Sequence, residues 1–215
     1  ARSFRTDRDI TGKKLEHGTA LAEIIYDVAP RAELYLANFE TELEFGNAIN
    51  WLIINKVDII SCSIGWTSAG PYDGTGPVDE AIDNARDNYG ILWFNSAGNE
   101  GERHWGGGWV DTSRDGYQNF YGGAKFNSIY AEGGTFITIA LSWDDPWGNS
   151  PNDYDLYLYD NNYREVANSL NWQRGKGDNP SESIVYFATS TGFYHIAIRK
   201  YDATRAVKFS LFSPD

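Results

Sequence analysis

The spacing of apolar residues changes along this chain, and the change constrains the fold more than any other feature. Residues 17–28 carry apolar side chains at intervals of three and four, the pattern of an amphipathic helix. Two further helical patterns alternate with short apolar segments, such as Ala32–Phe39 and Asp58–Ile64, up to about residue 105. This alternation predicts an α/β fold in which helices cover both faces of a parallel sheet.

From about Gly134 onward, apolar residues instead alternate with polar ones, as in DYDLYLYD at residues 153–160. Gly, Asn, Asp and Pro clusters separate these segments, which indicates an antiparallel sandwich or jelly roll. We therefore predict three parts: an α/β portion at 1–105, an aromatic and Gly-rich connection at 106–133, and a β-jelly-roll domain at 134–215.

The composition excludes several classes of partner. The chain contains 18 Lys and Arg and 30 Asp and Glu, which gives a net charge of −12. Such a surface would repel a phosphate backbone, so nucleic acid is not expected to bind. No apolar run is long enough to span a membrane. The single cysteine, Cys62, excludes an internal disulfide and, within its apolar run, is expected to be a buried small hydrophobe.

Three short motifs occur in the α/β portion in a fixed order. His17-Gly18-Thr19 opens the first helical pattern, Ser63-Ile64-Gly65 follows an apolar strand, and Ser96-Ala97-Gly98-Asn99-Glu100-Gly101 follows the next strand. The second and third motifs therefore lie beyond the carboxyl ends of parallel strands, where α/β proteins build their sites. Taken alone, His17 is also consistent with an exposed residue at a helix start; the three motifs together favour a catalytic role.

These motifs, in this order, resemble the subtilisin-like (subtilase) serine peptidases. The resemblance implies that His17 is the general base, which takes the proton of a serine nucleophile and returns it to the leaving amine. It also implies that the Asn99 amide stabilises the oxyanion. The substrate-binding residues implied by the resemblance are Ser63, Ile64, Gly65, Ser96, Ala97 and Gly98.

Two parts of the family pattern are missing from the sequence. No Gly-Thr-Ser motif follows Asn99, and the sixteen residues before His17 contain no apolar strand that could end in the triad aspartate, so Asp7 and Asp9 are poor candidates. The chain is interpreted either as part of a peptidase, inactive alone, or as a homologue that has lost its chemistry. In the alternative function, the jelly roll of a non-catalytic binding module recognises a protein or glycan.

The β half resembles the prepeptidase C-terminal and P-domain modules of secreted peptidases. This resemblance implies an inserted module and a secreted or cell-surface location. The expected partners are a peptide or protein substrate in the intact enzyme, the remaining segments of the peptidase domain, or a second copy of the chain. Missing sheet strands would leave apolar edges exposed, which favours self-association.

A group of oxygen-bearing side chains suggests a metal. Asp144, Asp145, Asp153 and Asp155 lie within a dozen residues, and calcium prefers such ligands. The spacing does not match an EF-hand loop, and Asp is also common in turns. We keep a structural calcium as a hypothesis and expect the chemistry itself to need no cofactor. The three scattered histidines do not form a zinc pattern.

Overall fold

The computed structural model describes residues 1–10, 16–67, 70–99 and 101–213. The chain divides into two compact units. The smaller contains Ala1–Ser63 and Thr75–Ser96, and the larger contains Ile64–Gly74 and Ala97–Asp215. The division differs from the predicted three parts, because residues 64–74 and 97–105 of the predicted α/β portion and the predicted connection at 106–133 all belong to the larger unit.

The described residues of the smaller unit form three helices and four short strands. In chain order they are β1 (Arg2–Ser3), α1 (His17–Val28), β2 (Ala37–Asn38), α2 (Glu42–Ile54), β3 (Ile59–Cys62), α3 (Pro77–Tyr89) and β4 (Leu92–Asn95). The strands form two parallel pairs, β1 with β2 and β3 with β4. The expected strand at Ala32–Phe39 is wrong in length: only Ala37–Asn38 pairs, because the two-residue β1 offers no longer partner.

Local sequence signals set the ends of α2 and α3. Thr41 and Glu44 form a reciprocal capping box at the start of α2, where each side chain bonds the other's backbone N–H. Pro77 occupies the first turn of α3, and Gly90 ends that helix in the left-handed conformation with φ of 69°. These two helices pack against each other.

The β3–β4 pair has one covered and one open face in the described part of the chain. Ile60 and Cys62 are buried, which agrees with the expectation for the cysteine. On the opposite face Ile59, Leu92 and Phe94 are 59%, 54% and 57% exposed. Helix α1 forms as predicted, but none of its residues is buried, so its apolar face does not contribute to a hydrophobic core. A parallel sheet normally buries both faces.

The larger unit is built mainly from antiparallel strands. They are β5 (His104–Gly108), β6 (Asn127–Ala131), β7 (Phe136–Trp143), β8 (Asn149–Ser150), β9 (Asp153–Tyr159), β10 (Glu165–Ser169), β11 (Gly175–Lys176), β12 (Ser181–Phe187), β13 (Gly192–Asp202) and β14 (Lys208–Phe212). A single-turn 3₁₀ helix spans Tyr121–Gly123.

Eight of these strands form two four-stranded sheets. The β9 sheet has the order β10-β9-β13-β6, and the β7 sheet has the order β12-β7-β14-β5. Residues 106–133, expected as a connection, supply most of β5 and all of β6, the edge strands of the two sheets. The Gly-rich β5 shows no period of two in its hydrophobicity, which is why the sequence pattern missed it.

The core of the sandwich follows from the alternation predicted from the sequence. Tyr154, Leu156 and Leu158 project from β9 into one apolar cluster and are fully buried. Alternate residues of β7 and β13 complete the same cluster. Burial of these side chains contributes about 1.5–3 kcal/mol each to folding and is the main force that holds the two sheets together.

Candidate functional site

The second and third motifs meet at one edge of the β3–β4 pair. Cys62 and Asn95 are register partners at the carboxyl ends of the strands. The backbone N–H of Ser96 donates to the carbonyl oxygen of Cys62 at 3.0 Å, so the parallel ladder continues one residue beyond β4. Ser63 and Ser96 therefore start their motifs side by side, as expected for the carboxyl ends of adjacent parallel strands.

The other residues of these motifs are open to solvent. Ile64 is 42% exposed and Gly65 is exposed; apart from Gly65 and its two chain neighbours, no atom of the described residues lies within 4 Å of where a Cβ on Gly65 would stand. Ala97, Gly98 and Asn99 are exposed as well. Gly98 has a φ of 84°, a left-handed conformation that disfavours any side chain at this point of the turn. Glu100 lies outside the described residues.

His17 is the first residue of α1 and is exposed. Its N-cap, Glu16, makes no capping hydrogen bond with its side chain. An exposed imidazole in the first turn of a helix is accessible to a partner group. His17, Ser63 and Ser96 belong to the smaller unit, whereas Ile64, Gly65 and Ala97–Asn99 belong to the larger one.

Asp145 is the centre of a buried hydrogen-bond network. Its carboxylate accepts from the Ser150 hydroxyl at 2.9 Å, from the Asn152 side-chain amide at 2.9 and 3.0 Å, and from the Asn152 backbone N–H at 3.2 Å. The Arg205 guanidinium lies 2.6 Å away. Burial opposes ionisation of Asp145, but the bonds from Asn152, Ser150 and Arg205 outweigh it and hold the pKa below its usual value.

Asp144 joins the same guanidinium from the surface. Its carboxylate lies 3.0 Å from Arg205 and accepts the backbone N–H of Lys208 at 2.9 Å. The side chain of Asp144 is 44% exposed, whereas that of Asp145 is 1% exposed. Both carboxylates are thus engaged by protein donors that tie the loop after β7 to the start of β14.

Asp153 and Asp155 have different surroundings. They lie two residues apart on β9 and are both buried. Burial, and then repulsion from Asp155, raise the pKa of Asp153 to about 6. Burial also raises the pKa of Asp155, whose carboxylate accepts the Tyr157 hydroxyl at 3.2 Å. Oδ1 of Asp153 has no hydrogen-bond partner in the described part of the chain.

The four aspartates named as metal candidates thus fall into two environments. Asp144 and Asp145 share Arg205, whereas the charged neighbours of Asp153 are Asp155, Glu182 and Asp202. Across the described ranges, no three or more His, Cys, Asp or Glu side chains are arranged to hold a metal ion. Calcium at any of these aspartates stays a prediction.

A cleft of about 320 Å³ lies in the larger unit and was not anticipated from the sequence. Residues of β5 and β6 line it, together with Leu211 and Ser213. The strand pattern gives no signal for such a feature, because it depends on which strands become the edges of the two sheets.

The comparisons with known proteins identify the family. The model of the subtilase family, peptidase S8, matches residues 2–193, and the chain therefore belongs to this family. No curated protein matches. Among solved structures, the pre-peptidase C-terminal domain of a collagenase from Bacillus anthracis is similar, with 12% identity and a TM-score of 0.36, over 51% of this chain and 86% of that chain.

Among the described residues, no helix combines the length and the apolar character needed to cross a bilayer.

Proposed function

We propose that this chain is part of a subtilisin-like serine endopeptidase that hydrolyses peptide bonds through an acyl-enzyme. The observation that carries the proposal is the β3–β4 pair, in which the Ser96 N–H to Cys62 oxygen bond of 3.0 Å holds two family motifs at one carboxyl edge. The matching family model supports it independently. The smaller unit is then an incomplete parallel α/β domain of subtilisin type, and the open face of β3–β4 is the face that further elements would cover.

In this proposal His17 is the general base and Asn99 the oxyanion donor. His17 removes the proton as the serine oxygen attacks the scissile carbonyl, and returns it to the leaving amine when the C–N bond breaks. The Asn99 amide donates to the carbonyl oxygen while negative charge develops on it. The exposure of His17 and Asn99 in the structure is compatible with both roles.

The substrate would lie as an added strand along Ser63, Ile64 and Gly65, with Ser96, Ala97 and Gly98 forming a wall of the pocket for the residue before the scissile bond. The exposure of Ile64, and the space at the Cβ position of Gly65 among the described residues, support this placement.

The printed sequence has neither a Gly-Thr-Ser motif for the nucleophile nor an apolar strand that ends in the triad aspartate. We therefore propose that other residues supply these two groups and that this chain alone does not cleave peptides. The larger unit would be a β module inserted in the peptidase. We propose a secreted or cell-surface location, where peptide and protein substrates are the partners and no cofactor takes part in the chemistry.

The test uses the protein as its gene encodes it, including any residues outside the printed sequence. We expect hydrolysis of a chromogenic peptide and labelling by a fluorophosphonate, whereas the printed chain alone does neither. His17→Ala should lower kcat by on the order of 10⁶, and Asn99→Ala by about 10²–10³, magnitudes measured within this family rather than worked out from this chain.

The matched control is Tyr121→Ala, because Tyr121 is 98% exposed and lies outside the three motifs. Its kcat should remain unchanged. If the encoded protein neither cleaves nor labels, the peptidase proposal is wrong and the binding-module alternative takes its place. Labelling of the printed chain alone would contradict the claim that it lacks a nucleophile.

A further inference from the structure

The edge strands of the two sheets lie at two sides of the sandwich, β10 and β12 at one and β5 and β6 at the other, and these sides differ. On the side of β10 and β12, hydrogen bonds join the two sheets: the Ser169 hydroxyl donates to Glu182, and the Ser183 backbone N–H donates to the Ser169 oxygen at 3.2 Å. Asn171 adds a backbone donor to the Glu182 carboxylate at 2.8 Å. This side is therefore closed by a buried polar network.

On the other side, β5 and β6 form the edges and the cleft separates them. The cleft holds about 320 Å³, and its lining residues include Ile129, Ile196, Leu211 and His104. The volume is within the range of small ligand sites, and the shape is set by two strands rather than by a ring of loops. The outer backbone edge of each strand carries no ladder partner in the described part of the chain.

Ser213 gives a second, independent sign of a ligand. Its side chain lines the cleft and the residue is 7% exposed, yet its hydroxyl has no hydrogen-bond partner among the described residues. The backbone of Ser213 is already used, because its N–H donates to the Arg103 carbonyl at 3.0 Å. A buried hydroxyl without a partner is uncommon, and a polar group of a bound molecule would satisfy it.

The edge strands lack the features that usually protect an edge. Neither β5 (HWGGG) nor β6 (NSIYA) contains Lys or Pro, the residues with which proteins commonly block strand addition. The edge of β5 is partly covered, because the Trp105 ring lies over Gly107 and the Gln118 side-chain amide donates to the Gly108 carbonyl at 3.3 Å. The edge of β6 can accept hydrogen bonds from, and donate them to, another main chain.

We propose that this cleft binds an extended peptide, which pairs with β6 and lengthens the β9 sheet by one strand. The peptide supplies main-chain N–H and C=O groups to the free edge of β6, and one of its backbone groups bonds the Ser213 hydroxyl. Strand addition of this kind derives affinity from the main chain and specificity from alternate side chains.

The surroundings of β6 define the peptide's side chains. Ile129 lines the cleft together with Ile196 and Leu211, so every second residue of the peptide should be apolar and of moderate size. On the outer face Tyr130 is 59% exposed and lies edge-to-face with Phe193 at 5.5 Å, which offers a surface for a β-branched or aromatic residue. This binding site does not use the motifs of the proposed peptidase function and does not depend on that function.

The test measures fluorescence anisotropy of a labelled peptide, Lys-Thr-Val-Thr-Val-Thr-Val-Lys, titrated with the printed chain. We expect saturable binding with a micromolar Kd. Two control peptides carry N-methyl groups on the three valine or the three threonine nitrogens, which removes one set of backbone donors at a time. At least one of them should fail to bind. Retention of binding by both, or no saturation at 1 mM protein, would overturn the proposal.

Variants locate the site. Tyr130→Ala should weaken binding at least tenfold and Ser213→Ala about fivefold, with thermal melting used to confirm folding. Tyr201→Ala is the matched control, since Tyr201 is 54% exposed but does not line the cleft, and it should bind within twofold of the parent. Equal weakening by Tyr130→Ala and Tyr201→Ala would contradict the assignment. Self-association abolished by Tyr130→Ala in sedimentation velocity would show that the occupant is a second copy instead.

Discussion

Replacing Asp145 by alanine should destabilise the larger unit strongly, and replacing Asp144 should not. Asp145→Ala removes the carboxylate that accepts hydrogen bonds from the backbone N–H and the side-chain amide of Asn152, and these donors are buried. Ser150 can turn its hydroxyl to the Asn152 carbonyl, and Arg205 can turn to water, so those losses are partly recovered. Breaking a buried charge pair costs about 3–5 kcal/mol, and because of this recovery we expect Asp145→Ala to lower the free energy of unfolding by about 3 kcal/mol.

The matched Asp144→Ala variant removes a carboxylate from the same guanidinium but leaves no buried donor unpaired. Exposed pairs of this kind are worth about 0–1 kcal/mol. In urea denaturation at pH 7 the two variants should therefore differ by about 2 kcal/mol. In thermal melting, Asp145→Ala should lose on the order of 10 °C. A difference below about 0.5 kcal/mol would refute the conclusion that the buried network, rather than proximity to Arg205, holds this loop.

The pH dependence gives a second test of the same network. The folded pKa of Asp145 lies below its unfolded value, so its contribution is complete above about pH 4 and is lost as pH falls through the folded pKa. The stability gap between the parent and Asp145→Ala should thus be constant from pH 5 to 7 and shrink in stronger acid. A gap that grows on acidification would contradict this assignment.

Three further predictions test other parts of the structure. Because the pKa of Asp153 is raised to about 6, its ionised form destabilises the fold, so Asp153→Asn should gain up to about 3 kcal/mol at pH 7 and nothing at pH 4 in urea titrations. A loss seen only with added calcium would reverse this prediction and indicate a metal site. Gly107→Ala would place a Cβ 2.6 Å from the Trp105 ring and should cost about 1–3 kcal/mol, whereas Gly108→Ala, with its nearest atom at 4.0 Å, should cost less than half as much in the same assay. Thr41→Ala removes a helix cap and should cost about 1 kcal/mol of the smaller unit's stability by hydrogen exchange; protection of α2 identical to the parent's would be the contrary result.

Local sequence signals predicted the helices and strands whose formation depends mainly on their own residues. The apolar spacing of α2 and α3 and their terminal residues are enough to begin and end those helices, since capping and helix periodicity act within a few residues. Alternation over residues 136–143 and 153–159 likewise predicted β7 and β9, because one face of each strand must be buried.

Long-range pairing decided the elements that the sequence did not reveal. β5 contains three glycines and has no apolar period, yet it pairs with β14, a hundred residues later. The segment 32–39 has a strand-like composition, but only two of its residues find a partner. In both cases the strand exists because of its neighbour and not because of its own residues.

The candidate sites show the same division. The sequence by itself determined the order of the three motifs, the two modes of hydrophobic spacing and the negative charge, because each is a property of neighbouring residues or of composition. Only the tertiary structure decided that Asp144 and Asp145 share Arg205 while Asp153 lies beside other carboxylates. Only the tertiary structure also placed β5 and β6 at the edges that enclose a cleft. Strand order and burial set these environments, and both arise from contacts between residues far apart in the chain.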